Sequence, residues 1–377
     1  MRLIATTLHG LEEVLSIELK EIGATDVEVL NRAVAFKGDK ELMYKCNLQL
    51  RTALRILKPI KTFVARDEDE LYQNIFGIDW MKIITLTQTF AIDTSVSSDV
   101  FRHSKYVALK SKDAIADQFN KKTGRRPFVG TTDPVIRIRI SCIGKQFTVM
   151  LDSSGDPLHK RGYRTAVHEA PMNEVLAAGL IAITGWDKSV PLIDPMCGSG
   201  TIAIEAAMKA ANVPAGVIRK KYCFMNWDDF DKELWDKVYN EAMAAIDKSD
   251  IDIKGFDISA RCISMCKASC EDLGIDGLIE FKRKAFEKNT GTENKGIIIM
   301  NPPYGERLEK SDIFGFYSAI GTNLKRNFEG YTAWIISSND DALESLCMRS
   351  FKTYKLFNGA LDCKFQKFPI LETSISI

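Results

Sequence analysis

The sequence predicts an α/β protein: a parallel, doubly wound sheet in the C-terminal half, preceded by a smaller α+β region. Three observations predict it. From about Ala170 onward, helical and strand patterns alternate as they do in βαβ units. The apolar run ending at Asp194 passes into a Gly-x-Gly turn and then an Ala-rich helix. Gly296–Met300 (GIIIM) is apolar throughout, the signature of a strand buried on both faces, and a double proline stops it.

Residues 1–60 read as one unit. Arg2–Thr6 is a strand, Leu11–Ile22 a helix stopped by Gly23, and Val27–Leu30 with Arg32–Phe36 a strand pair. Lys40–Leu50 has helical spacing, and Arg51–Thr62 returns to strand. Asp67–Gly77 is a short amphipathic helix with acids in its first turn, Phe90–Val96 a strand, and Ser111–Thr123 a basic helix ending near Gly124. Val135–Ile140 alternates with period two, Gln146–Asp152 is a further strand, and Asp152–Pro157 is a turn cluster. The boundary between the halves falls near residue 165.

In the second half Asn173–Thr184 is an apolar helix stopped by Gly185, Pro191–Asp194 a strand and Thr201–Ala211 a helix. An acidic, helical insertion fills Asn212–Asp252. Ile253–Asp257, Leu278–Lys282, Gly296–Met300 and Tyr331–Ser337 follow as strands, with helices at Ala260–Leu273 and Phe314–Phe328.

Composition narrows the class. With 377 residues, 45% hydrophobic and 27% charged, the chain is neither disordered nor fibrous. No apolar run reaches the roughly 18 residues of a membrane helix, and the first 15 residues lack the layout of a secretory signal. Nine cysteines without a Cys-x-x-Cys pair point to reduced thiols in a cytoplasm. Cys262, Cys266 and Cys270 repeat on one helix face with no histidine nearby, which reads as sheet packing and no metal site.

Net charge is +1, yet Phe101–Arg126 holds eight basic residues against two acids, while the acids gather in Asp228–Asp252. A positive surface for phosphates explains this segregation. The candidate RNA contacts are Lys112, Lys121, Lys122, Arg125, Arg126, Arg161 and Arg164. Arg161, Tyr163 and Arg164 serve equally well as a tether between the halves.

The stretch Asp194-Pro195-Met196-Cys197-Gly198-Ser199-Gly200-Thr201 is the candidate cofactor turn, because its glycines permit a tight bend and close ligand approach. Asp257 ends the next strand, 57 residues beyond Gly200, where it can accept from ribose hydroxyls; Ile258 follows it. Asn301, Pro302, Pro303 and Tyr304 follow the apolar strand and face the same crevice. The prolines remove two N–H donors and leave the Asn301 side-chain oxygen and the Pro302 carbonyl as acceptors for an exocyclic amino group. Tyr304 offers a ring on which a base can stack.

DPMCGSGT, GFDIS and NPPYGERL together resemble class I S-adenosyl-L-methionine-dependent methyltransferases acting on exocyclic amino nitrogens. LHKRGYR at 158–164 and LFNGA at 356–360 resemble the THUMP-containing RNA methyltransferases of the large-subunit rRNA guanine-N2 type, the RlmL and YpsC group. The resemblance implies a ferredoxin-like domain over 1–60, a THUMP RNA-binding domain over 61–164 and a Rossmann-like methyltransferase domain over 165–377. It implies S-adenosyl-L-methionine as cofactor, held by Asp194–Thr201, Asp257, Ile258 and Pro171, and 23S rRNA or an assembling large subunit as partner. Asn301–Tyr304 become the base clamp. Many class I enzymes place an Asp after the third strand to bind adenine; here Ala285 or Phe286 stands there, with Glu287 next.

Rival readings are an adenine-N6 or a tRNA guanine-N2 methyltransferase, a nicotinamide oxidoreductase and a non-catalytic RNA-binding protein. The oxidoreductase leaves Asn301–Tyr304 unexplained, and the inert binder has no use for that clamp.

Overall fold

The structure, a computed structural model, describes residues 1–130, 132–164, 172–291, 295–303 and 310–371. The N-terminal half begins β1 (Arg2–Thr6), α1 (Glu12–Glu21), β2 (Thr25–Leu30), β3 (Ala33–Lys37), α2 (Lys40–Gln49) and β4 (Arg55–Val64). It continues with α3 (Glu68–Phe76), β5 (Thr89–Ser97), α4 (Ser104–Thr123), β6 (Phe128–Val129), β7 (Ile136–Ile143) and β8 (Gln146–Asp152). These strands form one eight-stranded sheet in the order β2-β3-β1-β4-β8-β7-β5-β6. The long β4 joins its two parts, pairing Ile4 with Leu57 on one side and Lys58 with Leu151 on the other. The expected division at residue 60 therefore falls inside a strand.

The C-terminal half holds α5 (Glu174–Thr184), β9 (Leu192–Asp194), α6 (Thr201–Ala210), α7 (Lys232–Ala244), β10 (Ile253–Asp257), α8 (Ala260–Leu273) and β11 (Ile279–Arg283). β12 (Ile297–Met300), α9 (Lys310–Asn327), β13 (Thr332–Ser337), α10 (Asp340–Glu344), β14 (Lys352–Asn358) and β15 (Leu361–Pro369) complete it. The sheet order is β11-β10-β9-β12-β13-β15-β14. The first five strands run parallel, as expected, and β15 and β14 close the edge as an antiparallel hairpin. Strand order reverses between β9 and β12, which opens a crevice at their carboxyl ends.

The caps explain where the helices begin. Asn173 accepts from the N–H groups of Val175 and Leu176 to start α5, and Ser259 accepts from that of Cys262 to start α8. α5 and α8 stop at Gly185 and Gly274, both left-handed.

The acidic insertion is helical, as expected, but it packs away from its own sheet. Tyr222, Phe224, Trp235 and Phe230 gather around Tyr44 of α2, with ring centroids 4.4 Å apart for Tyr44 and Phe224. Asp229 lies near Lys40 and Lys58, and Lys237 contacts Glu41. The acidic segment therefore sits against the basic half, and the charge separation along the chain does not carry over into space. No helix among the described residues is long and apolar enough to cross a membrane.

Candidate functional site

The cofactor-type turn is built by its own hydrogen bonds. The Cys197 N–H donates to the Phe256 carbonyl at 2.9 Å, and the Gly198 N–H donates to Asp257 Oδ2 at 2.9 Å. The other carboxylate oxygen of Asp257 accepts from the Ser259 N–H at 2.9 Å. Asp257 thus ties the glycine turn to the start of α8 and still keeps lone pairs toward the crevice. Gly200 has φ 77°, and a Cβ there would stand 2.7 Å from Cys266 Sγ. With that positive φ and with the Cys266 and Phe281 side chains this close, any side chain at the position would be strained.

A cavity of about 530 Å³ opens over this turn. Asp194, Pro195, Met196, Cys197, Gly198, Ser199, Thr201, Asp257 and Ile258 line it, and so do Asn301 and Pro303. Nine of the expected cofactor residues and two of the expected clamp residues therefore share one space. Gly200 stands behind the wall against Cys266 and Phe281, and Pro302 is buried beneath it. Tyr304 and Pro171 lie outside the described residues.

Two acceptors in the wall are buried without a protein partner: Asp194 Oδ1 and Asn301 Oδ1. An unpaired buried acceptor is costly, so each position calls for a ligand donor. Burial, reinforced by the charge of Asp257, pushes the Asp194 carboxyl up to about 8, against the pull of the Met196 N–H. Its hydrogen bond with Cys266, together with burial, raises the Cys197 thiol well above its ordinary value. A thiol held in that way is a space-filler and no nucleophile.

The wall is wider than the motifs: the resemblance already pointed to Met172, Phe286 and Glu287, and GFDIS holds Ser259, whereas Ile202, Cys262, Lys284 and Phe316 carry no motif in the sequence. Met172, Ile202, Ser259, Cys262, Lys284, Phe286, Glu287 and Phe316 also line the cavity. Phe286 and Glu287 occupy the place after the third strand where an Asp was sought, with Phe286 only 5% exposed. The residues present fit a nucleoside bearing a sulfonium. The carboxyl groups of Asp194 and Asp257 suit hydroxyl partners, apolar Ile202, Phe286 and Phe316 suit a flat base, and the volume suits a cofactor. Among the described residues no group of three or more His, Cys, Asp or Glu side chains is arranged to hold a metal ion.

The expected RNA contacts divide. Arg161 is 2% exposed, with its guanidinium on Glu205 at 3.3 Å and on the Leu158 carbonyl at 2.7 Å. Arg164 donates to the Met172 carbonyl and to Thr201 Oγ1. Neither is a free surface cation: Arg161, which also donates to the Arg51 carbonyl, fits the tether reading, and Arg164 is held by groups of the C-terminal half. Lys112, Lys122 and Arg126 stay on the surface but pair with Asp113, Asp79 and Asp117. Lys121 lies over the Phe76 ring, and Arg125 is exposed.

Comparison with known proteins agrees with this architecture. Residues 2–57 match the RlmL ferredoxin-like domain, 65–152 the THUMP domain and 161–367 the RMKL-like methyltransferase domain. The chain is 40% identical to the ribosomal RNA large subunit methyltransferase K/L of Aliivibrio fischeri strain MJ11, over 98% of this chain and 54% of that protein. It is 36% identical to the protein of the same name from Photobacterium profundum, over 99% and 53%. The chain spans about half the length of the curated relatives it matches. Among solved structures, SMU.472 in complex with SAH superposes with a TM-score of 0.88 at 31% identity, over 99% of both chains. A Clostridium difficile 630 protein described as a possible methylase superposes with a TM-score of 0.89 at 32% identity, over 99% of this chain and 98% of that one. The glycine turn, the Asn-Pro-Pro corner and the module order thus come together in one family, and the chain belongs to the RMKL-like methyltransferase-domain family, with ferredoxin-like and THUMP modules ahead of that domain.

Proposed function

We propose that this protein transfers a methyl group from S-adenosylmethionine to the exocyclic N2 of a guanine in large-subunit ribosomal RNA. The observation that carries the reading is Asn301 Oδ1, a buried acceptor without a partner in the wall of the cavity that holds the glycine turn. The names of the curated relatives favour rRNA over other substrates.

The cofactor supplies a methyl group on a positively charged sulfur, so no metal or covalent enzyme intermediate is required. The protein's task is alignment. Asn301 Oδ1 accepts an amino hydrogen, which keeps the nitrogen lone pair out of the ring and turns it toward the methyl carbon. The methyl–sulfur bond breaks as the nitrogen–carbon bond forms, and the nitrogen sheds one proton to solvent. The consecutive prolines hold this corner rigid. Phe286 and Phe316 give the cavity wall apolar faces. A paired base cannot enter, so the guanine arrives unpaired or flipped, and the THUMP-bearing half holds the surrounding RNA by shape and charge.

Asn301→Ala tests the roles. Turnover is expected to fall by about 10²–10³-fold, as when one positioned transition-state partner is removed. Calorimetric affinity for S-adenosylhomocysteine should stay within about threefold, because that ligand lacks the base. Equal loss of both removes Asn301 from the chemistry. Nucleoside mass spectrometry of rRNA from a deletion strain identifies the product: absence of an N2-methylguanosine supports the reading, and absence of an N6-methyladenosine replaces it with the adenine alternative.

A further inference from the structure

Arg164 carries out a task that neither phosphate binding nor simple tethering requires. One of its terminal nitrogens, Nη2, donates to the Met172 carbonyl at 2.6 Å and to Thr201 Oγ1 at 2.8 Å. The other, Nη1, stands 3.3 Å from the Glu174 carboxylate. Met172 and Thr201 line the cavity, and Glu174 opens α5 with 5% exposure. A single guanidinium therefore joins the first turns of α5 and α6 at the cavity rim. Its neighbours brace the same helix one turn further on: Arg161 and the Tyr163 hydroxyl both donate to Glu205.

The donor count then fixes the state of the threonine. A guanidinium has donors only, so Thr201 Oγ1 accepts from Arg164 and its own hydrogen remains to be donated. Ser199 Oγ is 3.4 Å away, a long contact that holds that hydrogen weakly. A hydroxyl donor backed by a cation at 2.8 Å, on the first residue of a helix, favours an anionic acceptor. In S-adenosylmethionine the anionic group is the carboxylate of the amino-acid end.

We propose that Arg164 is a positioning residue for that carboxylate, presenting the Thr201 hydroxyl as a donor and locking Met172–Glu174 against the first turn of α6. The proposal rests on the reading of the cavity as the S-adenosylmethionine site. It also makes the segment leaving the THUMP-bearing half part of the cofactor pocket.

Calorimetry on the full chain with two probes tests it: S-adenosylhomocysteine, and 5′-methylthioadenosine, which lacks the amino-acid end. Arg164→Met should weaken S-adenosylhomocysteine by about tenfold or more while methylthioadenosine changes by less than about twofold. Thr201→Val should show the same selectivity, and the double variant should lose little beyond either single one. Arg164→Lys keeps the charge but cannot span three partners with a planar fork, so it recovers only part of the loss. Should Arg164→Met fail to fold, Arg164→Lys and Thr201→Val carry the same comparison. Equal losses for both probes, or additive losses in the double variant, overturn the proposal and leave Arg164 a structural bolt. Failure of the unaltered protein to bind either nucleoside overturns the cofactor reading itself, and the proposal with it.

Discussion

Asp194 is buried to 1% exposure at the end of β9, and burial pushes its carboxyl up to about 8, with Asp257 adding to the shift. An acid raised in this way holds more protons folded than unfolded between its ordinary value near 4 and about 8. Without ligand, stability should therefore fall as pH climbs through that window. Asp194→Asn keeps an acceptor for the Met196 N–H and removes the titration. The variant should melt above the unaltered protein at pH 8, with the gap closing toward pH 4; a constant gap across a melting series would discard the role of burial. At this scale the sequence was legible wherever chemistry is local. Asn301 and its prolines follow directly on an apolar strand, and Gly198 and Gly200 bracket a bend that few other residues can make. Phe286 was visible only as the absence of an acid. Arg164 reads equally as an RNA contact or a tether, because its partners Met172, Glu174 and Thr201 are defined by folding and not by spacing.

Among the elements, α6 carries a buried ion pair that makes it sensitive to a single change. Arg161 and Glu205 are both fully buried, and the Tyr163 hydroxyl shares the same carboxylate. Removing one member leaves the other charged in a medium that cannot solvate it, at a cost of about 3–5 kcal/mol, whereas replacing the pair together is often neutral. Glu205→Leu alone should lower the urea midpoint sharply. Arg161→Met with Glu205→Leu and Tyr163→Phe, which leaves no stranded hydroxyl, should regain most of that loss. Equal destabilisation of the single and the triple variant would show that packing, and not charge, governs the joint. Other elements depart from their sequence pattern for physical reasons. α4 begins at Ser104, not Ser111, because its opening turns expose Tyr106 and hold Lys110 on Asp69 of α3, a partner remote in sequence. The sequence pattern does not announce the hairpin of β14 and β15, whose two-residue turn is Gly359-Ala360 between the paired Asn358 and Leu361, with Gly359 at φ 65°. Its inward residues Tyr354, Leu356, Cys363 and Phe365 face α/β packing on one side only, so its apolar pattern is weaker than that of β12.

At the scale of the whole molecule, the proposed function asks a nearly neutral protein to engage RNA, and the placement of its charges decides how it would do so. The run of cations around α4 looks decisive in sequence, but folding neutralises much of it through Asp69, Asp79, Asp113 and Asp117. The acidic insertion docks on Lys40 and Lys58 and cancels more. Among the described residues, Lys105, Lys121 and Arg125, like Arg102 just ahead of α4, are exposed with no carboxylate partner. Only cations free of such pairs release counterions on meeting phosphate without first breaking an ion pair. RNA affinity should therefore fall steeply with salt. Replacing Lys105, Lys121 and Arg125 by Gln should flatten the log–log slope by about 0.7–0.9 for each phosphate that is no longer neutralised, roughly two overall. The matched replacement of Lys112, Lys122 and Arg126, whose charges are already answered, should change it by less than about one. Filter binding over a salt series distinguishes the two sets. Equal slopes would mean that the ion pairs open on binding and that the whole basic run, as the sequence presents it, touches the RNA.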